Sequence, residues 1–278
     1  MALLPYSATR RVGDALGGLS ALLNTRSARV TDANIRYCFP ALRDAERRRL
    51  VQQSLQHTGR LLAEAGIVFH WSAERVDRLV VGVEGFEPLQ QALDEQRGIL
   101  VLVPHFGNWE LFALHFGRYE FIALYDPPRI AAFDEMIRAS RQRTGALLLP
   151  IDGKGVRAVL KALQRGRPVS ILPDQVPTRS AGIYAPFFGR PALTMTFAHR
   201  LIQNTNPLVV LGSCTRQANG FRICFSRIPD AIYSADVEQS VRCMNEAIEK
   251  LVRGDPAQYQ WEYKRFKQPP PGGTNPYA

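Results

Sequence analysis

Apolar positions along the chain alternate between short unbroken runs and longer stretches spaced three or four residues apart. The most apolar run, Gly98-Ile-Leu-Val-Leu-Val103, is bounded by Gly98 and Pro104 and predicts a strand buried on both faces. Further strands are expected at 79–83, 121–124, 146–150, 169–172, 208–213 and 221–225. The last two are joined by the hairpin signal Gln217-Ala-Asn219-Gly220. Helical spacing marks 44–69, 88–96, 109–116, 130–143, 155–164, 194–204 and 237–253. This alternation predicts an α/β fold, a mixed sheet flanked by helices in one domain, with ligands gathered at the carboxyl ends of the strands.

Three stretches stand outside the pattern. Residues 3–23 are amphipathic, with Leu3, Leu4, Val12, Leu16, Leu19, Leu22 and Leu23 toward one side. They predict either an interfacial helix within a segment 1–30 or a terminal helix packed on the main domain, 31–268. Residues 176–191 form the longest stretch without periodicity and hold Arg179 and Pro186-Phe-Phe-Gly-Arg190-Pro191. Such a loop suits a groove that covers an apolar chain and meets an anion, or is an ordinary connection packed by its aromatics. Residues 269–278 are rich in Pro and Gly and are expected to be disordered.

Candidate chemistry concentrates behind the central strand, in His105-Phe-Gly-Asn-Trp-Glu110. Gly107 and Asn108 are turn and N-cap types, so His105 is expected in the turn and Glu110 in the first turn of the next helix. On one continuous helix, residues five apart point about 140° away from each other. With the histidine in the turn, the carboxylate can fold onto the imidazole, fix its tautomer and leave the other nitrogen to take a proton. That is a general base with its orienter and no protein nucleophile, and the amides at the helix start are expected to hold an oxyanion. Asp174, in Pro173-Asp174-Gln175, falls at the end of another strand and therefore on the same edge. His115 and Glu120 repeat the spacing, but without a strand before them, and read as core or helix-end residues.

Charge changes the picture of partners. Thirty-five basic residues against 25 acidic ones give +10, which points to an anionic membrane, an acidic carrier or a phosphorylated substrate. No basic run exceeds Arg47-Arg48-Arg49 and aromatics do not interleave with basic residues, so nucleic acid is the weaker partner. The four cysteines lack metal-site spacing and read as reduced thiols, and no metal or other cofactor is expected. Near the N-terminus the longest uncharged stretch, 15–24, is about half of what a spanning helix needs.

Together, His105 to Glu110 after an apolar strand, Pro173-Asp174-Gln175, Ala185-Pro-Phe-Phe-Gly-Arg-Pro191 and Trp261-Glu-Tyr-Lys-Arg265-Phe-Lys267 resemble, in the same order, the bacterial lipid A late acyltransferases. Asn34 and Cys38-Phe39-Pro40 are similar too, and the resemblance spans about residues 5–268. It implies the glycerolipid-acyltransferase-like fold and transfer of a fatty acyl chain from acyl carrier protein, or acyl-CoA, to a hydroxyl of a lipid A precursor at the cytoplasmic face of the inner membrane. Carried over, His105 is the general base and Glu110 its partner. Asp174 and Arg141 help build the site, and Asn108, Arg179 and Arg190 are candidate substrate-binding residues. Many family members open with a spanning helix that this chain does not show, so peripheral or weak attachment is expected. Pro104 stands where the family often carries Asn, which leaves a different lipid or aryl acceptor as an alternative. Hydrolysis of the thioester, or lipid binding without catalysis, are the other readings.

Overall fold

The computed structural model describes residues 3–127 and 131–277, the side chains of 131–133 excepted. A helical N-terminal third, α1 (Tyr6–Leu22), α2 (Arg26–Cys38), α3 (Asp44–His70) and the short α4 (Ala73–Asp77), leads into β1 (Val80–Glu84) and α5 (Glu87–Asp94). Then come β2 (Ile99–Leu102), α6 (Trp109–Phe116), β3 (Ile122–Tyr125), α7 (Ala131–Gln142), β4 (Leu147–Pro150), α8 (Gly153–Gln164) and β5 (Pro168–Ile171). A hairpin of β6 (Gly182–Phe187) and β7 (Arg190–Met195) precedes α9 (Phe197–Thr205), β8 (Leu208–Gln217), β9 (Gly220–Arg227) and α10 (Val237–Gly254). The expected helix start at Ile130 lies outside the described residues.

Seven strands form one sheet in the order β1-β9-β8-β2-β5-β3-β4, parallel throughout except for the β8–β9 hairpin. The expected α/β architecture is therefore the one observed. Every residue of β2 is buried, because its odd and even positions serve two different cores. Leu100 and Leu102 join Val169, Ile171, Val209 and Leu211 against α8, α9 and α10. Ile99, Val101 and Val103 join Ala123, Val210 and Phe112 against α3 and α6. Covered on both faces, the sheet can open to ligand only at its strand ends.

The N-terminal helix α1 packs on the domain through its glycines and not through its leucine stripe. At Gly13 and Gly17 a Cβ would meet α3 backbone at 2.5 and 2.2 Å, and at Gly59 it would meet Gly13 O at 2.1 Å, so the three glycines let the helices touch backbone to backbone. The opposite side of α1 leaves Leu16, Leu19 and Leu22 in solvent, with Leu23 just beyond. No described helix is long and apolar enough to cross a membrane.

One element is added and two expectations are corrected. Residues 26–38, to which the sequence reading gave no element, form a helix, capped where the Thr25 hydroxyl accepts from Ala28 N (3.3 Å); Thr31 and Asn34 are buried on its inner face. The aperiodic stretch 176–191 contributes β6 and the start of β7, which turn at Phe188 and Gly189, both at positive φ. Pro186 and Pro191 face each other in that hairpin, a two-stranded unit whose outer edges need no proline amide. The segment 269–277 is tied back instead of dissolving. The Tyr277 hydroxyl donates to Asn34 Oδ1 (2.5 Å) and accepts from Phe266 N (3.0 Å), and the Tyr184 hydroxyl donates to Pro269 O (3.0 Å).

Candidate active site

Two residues beyond β2 the backbone turns through Pro104 and His105 into α6. Gly107 holds φ +63° there, and any Cβ would meet Cys214 O of β8 at 2.0 Å, so the turn needs glycine twice over. Asn108 N-caps α6: its Oδ1 accepts from Leu111 N (2.9 Å) while its Nδ2 donates to Glu64 Oε2 (2.8 Å). Glu64 in turn holds Arg216 of β8 through three hydrogen bonds of 2.7 to 3.0 Å, and both side chains are 2% exposed. The C-terminal segment closes the turn from the other side. Gly107 N donates to Gln258 O (2.9 Å), and Gln260 N donates to His105 O (3.0 Å). Gln258 itself is buried, its side chain bonded to both N and O of Arg216 (2.8 and 3.2 Å).

His105 Nδ1 lies 2.8 Å from Asp174 Oδ1, and His105 N donates to Asp174 Oδ2 (2.9 Å). Gln175 Nε2 is 3.1 Å from His105 Nε2, and Trp109 meets the imidazole edge-on at 5.0 Å between ring centroids. Both polar contacts fit one tautomer: Nδ1–H donates to the carboxylate, and the Nε2 lone pair faces the Gln175 amide. Burial pushes the Asp174 carboxyl up, but the charge and hydrogen bonds of His105 outweigh it and hold the group below the usual carboxylate range. Tyr259 stands by the same carboxylate, its hydroxyl pushed well up by burial first and by Asp174 second.

The carboxylate bonded to the imidazole is thus Asp174, where the sequence reading placed Glu110 against it. Glu110 is instead clasped by Arg141 of α7, Nε to Oε2 at 2.9 Å and Nη2 to Oε1 at 2.5 Å. Burial pulls the Arg141 guanidinium down, but Glu110 outweighs it and leaves the group above its usual value. Arg141 also lies over the Tyr125 ring, 5.2 Å from its centroid. The α6 terminus is less open than expected: the amides of His105, Phe106, Gly107, Asn108 and Leu111 all have protein acceptors. Those of Trp109 and Glu110 have none among the described residues.

Other candidates fall elsewhere. Asn108 is 1% exposed and employed as a cap, which leaves it no atom for substrate. Arg190 donates to Tyr37 O (3.1 Å) and covers that ring, tying β7 to α2. Arg179 is exposed and does not line the cleft around His105, although Pro177 and Ala181 on either side of it in the sequence do. His115 pairs with Asp77 (2.5 Å) and Glu120 with Arg167 (3.3 Å), so the second His-x4-Glu spacing builds no site. Gln175 and Gln258 escaped sequence reading, since a glutamine beside an aspartate or in a polar turn carries no distinguishing pattern.

A cleft of about 710 Å³ opens at the strand ends around His105, Glu110, Arg141 and Gln175. It straddles the sheet edge. One arm descends toward α6 between Phe112, Ala113, Phe121, Ala123 and Leu148, and the other is walled by Leu124, Val156, Ile171, Met195 and Phe197. Ala113, Ala123 and Ser170 are the small residues that leave it open. The His105 imidazole thus faces a largely apolar groove.

The family model described as bacterial lipid A biosynthesis acyltransferase matches residues 1–268. The chain belongs to that family. It is 30% identical to the lipid A biosynthesis lauroyltransferase of Escherichia coli strain K12, over 99% of this chain and 90% of the relative. It is 27% identical to the palmitoleoyltransferase of the same strain, with the same coverage, and 24% identical to its myristoyltransferase, over 94% and 82%. As a member of the family the chain is an O-acyltransferase, and the cleft at the sheet edge is where such chemistry has an acid–base group and an apolar groove side by side.

Proposed function

We propose that the protein transfers a fatty acyl chain from an acyl-carrier-protein or CoA thioester to a hydroxyl of a lipid A precursor, with His105 as general base. The observation that carries this reading is the His105–Asp174 pair opening onto an apolar cleft with no hydroxyl or thiol bonded to the imidazole among the described residues. Without a protein nucleophile, acceptor and donor meet directly. The acceptor hydroxyl takes the Gln175 position at Nε2 and loses its proton to it as its oxygen bonds to the thioester carbon. The C–S bond then breaks, and the imidazolium returns the proton to the leaving thiolate. Asp174 supports the imidazolium throughout.

The oxyanion formed in between needs donors, and the Trp109 and Glu110 amides at the start of α6 are suited to it. Arg141 holds Glu110 and lines the same wall, so the pair acts on positioning and local charge. Arg179 at the rim supplies further positive charge. The bare leucines of α1 and the net charge of +10 support peripheral residence on an anionic cytoplasmic leaflet, where a lipid acceptor is at hand.

The test is mass spectrometry of lipid A and total lipids from cells with the wild-type protein, without it, and with His105→Ala. One lipid A species should lose one acyl chain in the two latter cases. A shift in a different lipid class would move the acceptor, and free fatty acid as the product would turn the reading to hydrolysis.

A further inference from the structure

Two guanidinium groups line the cleft, and they differ in one respect. Arg141 is neutralised by both oxygens of Glu110, whereas Arg200 makes no ion pair and no side-chain hydrogen bond among the described residues. Its place follows from the geometry of α9. Thr196 and Phe197 line the cleft, and Arg200, four and three residues on, shares their side of the helix. Ala198, Leu201 and Ile202 bury the other side in the core, so the backbone that carries Arg200 is fixed while its head stays in solvent. Asp126, which lines the cleft as Glu110 does, follows β3 and forms no ion pair with Arg200.

Arg200 and the apolar arm toward α6 lie on opposite faces of the sheet, with His105 at the edge between them. An acyl tail in that arm brings its thioester carbon to His105 and turns whatever is joined beyond the reacting atoms toward Arg200. Both substrates of the proposed reaction have a phosphate there, the acceptor on its sugar and the donor on its pantetheine arm. A guanidinium without an acid partner is a fork-shaped donor set for phosphate. We propose that Arg200 is the residue that anchors a substrate phosphate in this cleft and so selects phosphorylated substrates. This rests on the acyl-transfer reading above.

The test compares wild type, Arg200→Gln and Arg200→Lys. Binding is measured to a phosphorylated lipid A precursor, to the same lipid stripped of phosphate, and to an acyl-CoA, alongside steady-state kinetics. Wild type should bind the phosphorylated lipid about tenfold or more tightly than the stripped one. Arg200→Gln should lose that preference, with the loss in acceptor KM more than in kcat, and Arg200→Lys should keep part of it. If the loss falls on the thioester instead, the anchored phosphate is the donor's and the anchor stands. If Arg200→Gln leaves affinity for both substrates within about twofold, the proposal is overturned. A wild-type protein that binds with the phosphate preference but transfers no acyl group keeps the anchor and rejects the acyl-transfer reading.

Discussion

His105 and Asp174 are partners at the same offset of 69 residues that pairs β2 with β5, from Ile99 opposite Pro168 to Leu102 opposite Ile171. The dyad is therefore an extension of the central parallel ladder three residues past its last rung. Strand register sets which carboxylate reaches the imidazole, and a carboxylate five residues downstream on α6 has no such guide.

Replacing Asp174 by Asn should leave the fold intact and reduce kcat by about 10²- to 10⁴-fold. With the amide oxygen kept on His105 N, the amide nitrogen faces Nδ1 and favours the tautomer that carries its proton on Nε2. Steady-state turnover beside a near-native thermal melt checks this. Activity within threefold of wild type would remove Asp174 from the mechanism.

Glu110 and Arg141 should behave as one unit. Glu110→Ala strands a buried guanidinium and Arg141→Ala strands the carboxylate, so each single change should cost about as much as the double. A double-mutant cycle in kcat/KM reads the coupling. Additive losses would mean that the two side chains act separately.

Ala123 lines the arm toward α6. Ala123→Leu should fill part of that arm and shift donor preference to shorter chains, while His105 and its partners stay in place. Competition between thioesters of different length, read by mass spectrometry of the product, measures the shift. An unchanged preference would send the acyl chain to the other arm.

The central strand, the histidine turn and the helix behind them were legible because local signals sufficed: an aliphatic run between Gly98 and Pro104, then turn and cap residues. The partner of the imidazole was not, because it depends on how β2 and β5 pair across 69 residues. Arg141 was visible as a member of the site but its pairing with Glu110 was not, for the same reason. Asn108 and Arg190 looked like ligand residues because capping and carbonyl-binding use the same polar groups as recognition. The helix 26–38 was not marked, and its buried face carries Asn34, whose amide donates to Trp261 O (2.6 Å) and Tyr263 O (2.8 Å).

A pH response should arise behind the site. His57 borders a small gap with Gly107, Trp109 and Arg216; burial, then the charges of Arg216, Arg60 and Arg10, lower its pKa to about 3. The unfolded chain takes up this proton near pH 6.5 and the folded one only near 3, so stability is full above 6.5 and declines as pH falls across that window. The decline should be on the order of a few kcal/mol. Urea titrations between pH 7 and 4.5 should show it in wild type and a flatter trend in His57→Gln. Parallel trends would assign the acid sensitivity elsewhere.

Gln258 and Gln260 grip the backbone of the histidine turn, and they lie near the end of the chain. A ribosome makes His105 more than 150 residues before the segment that clasps its turn. The histidine turn is therefore clasped only after the N-terminal helices with their bare leucines have left the ribosome. A message cut short before residue 258 yields a protein whose histidine turn lacks that clasp.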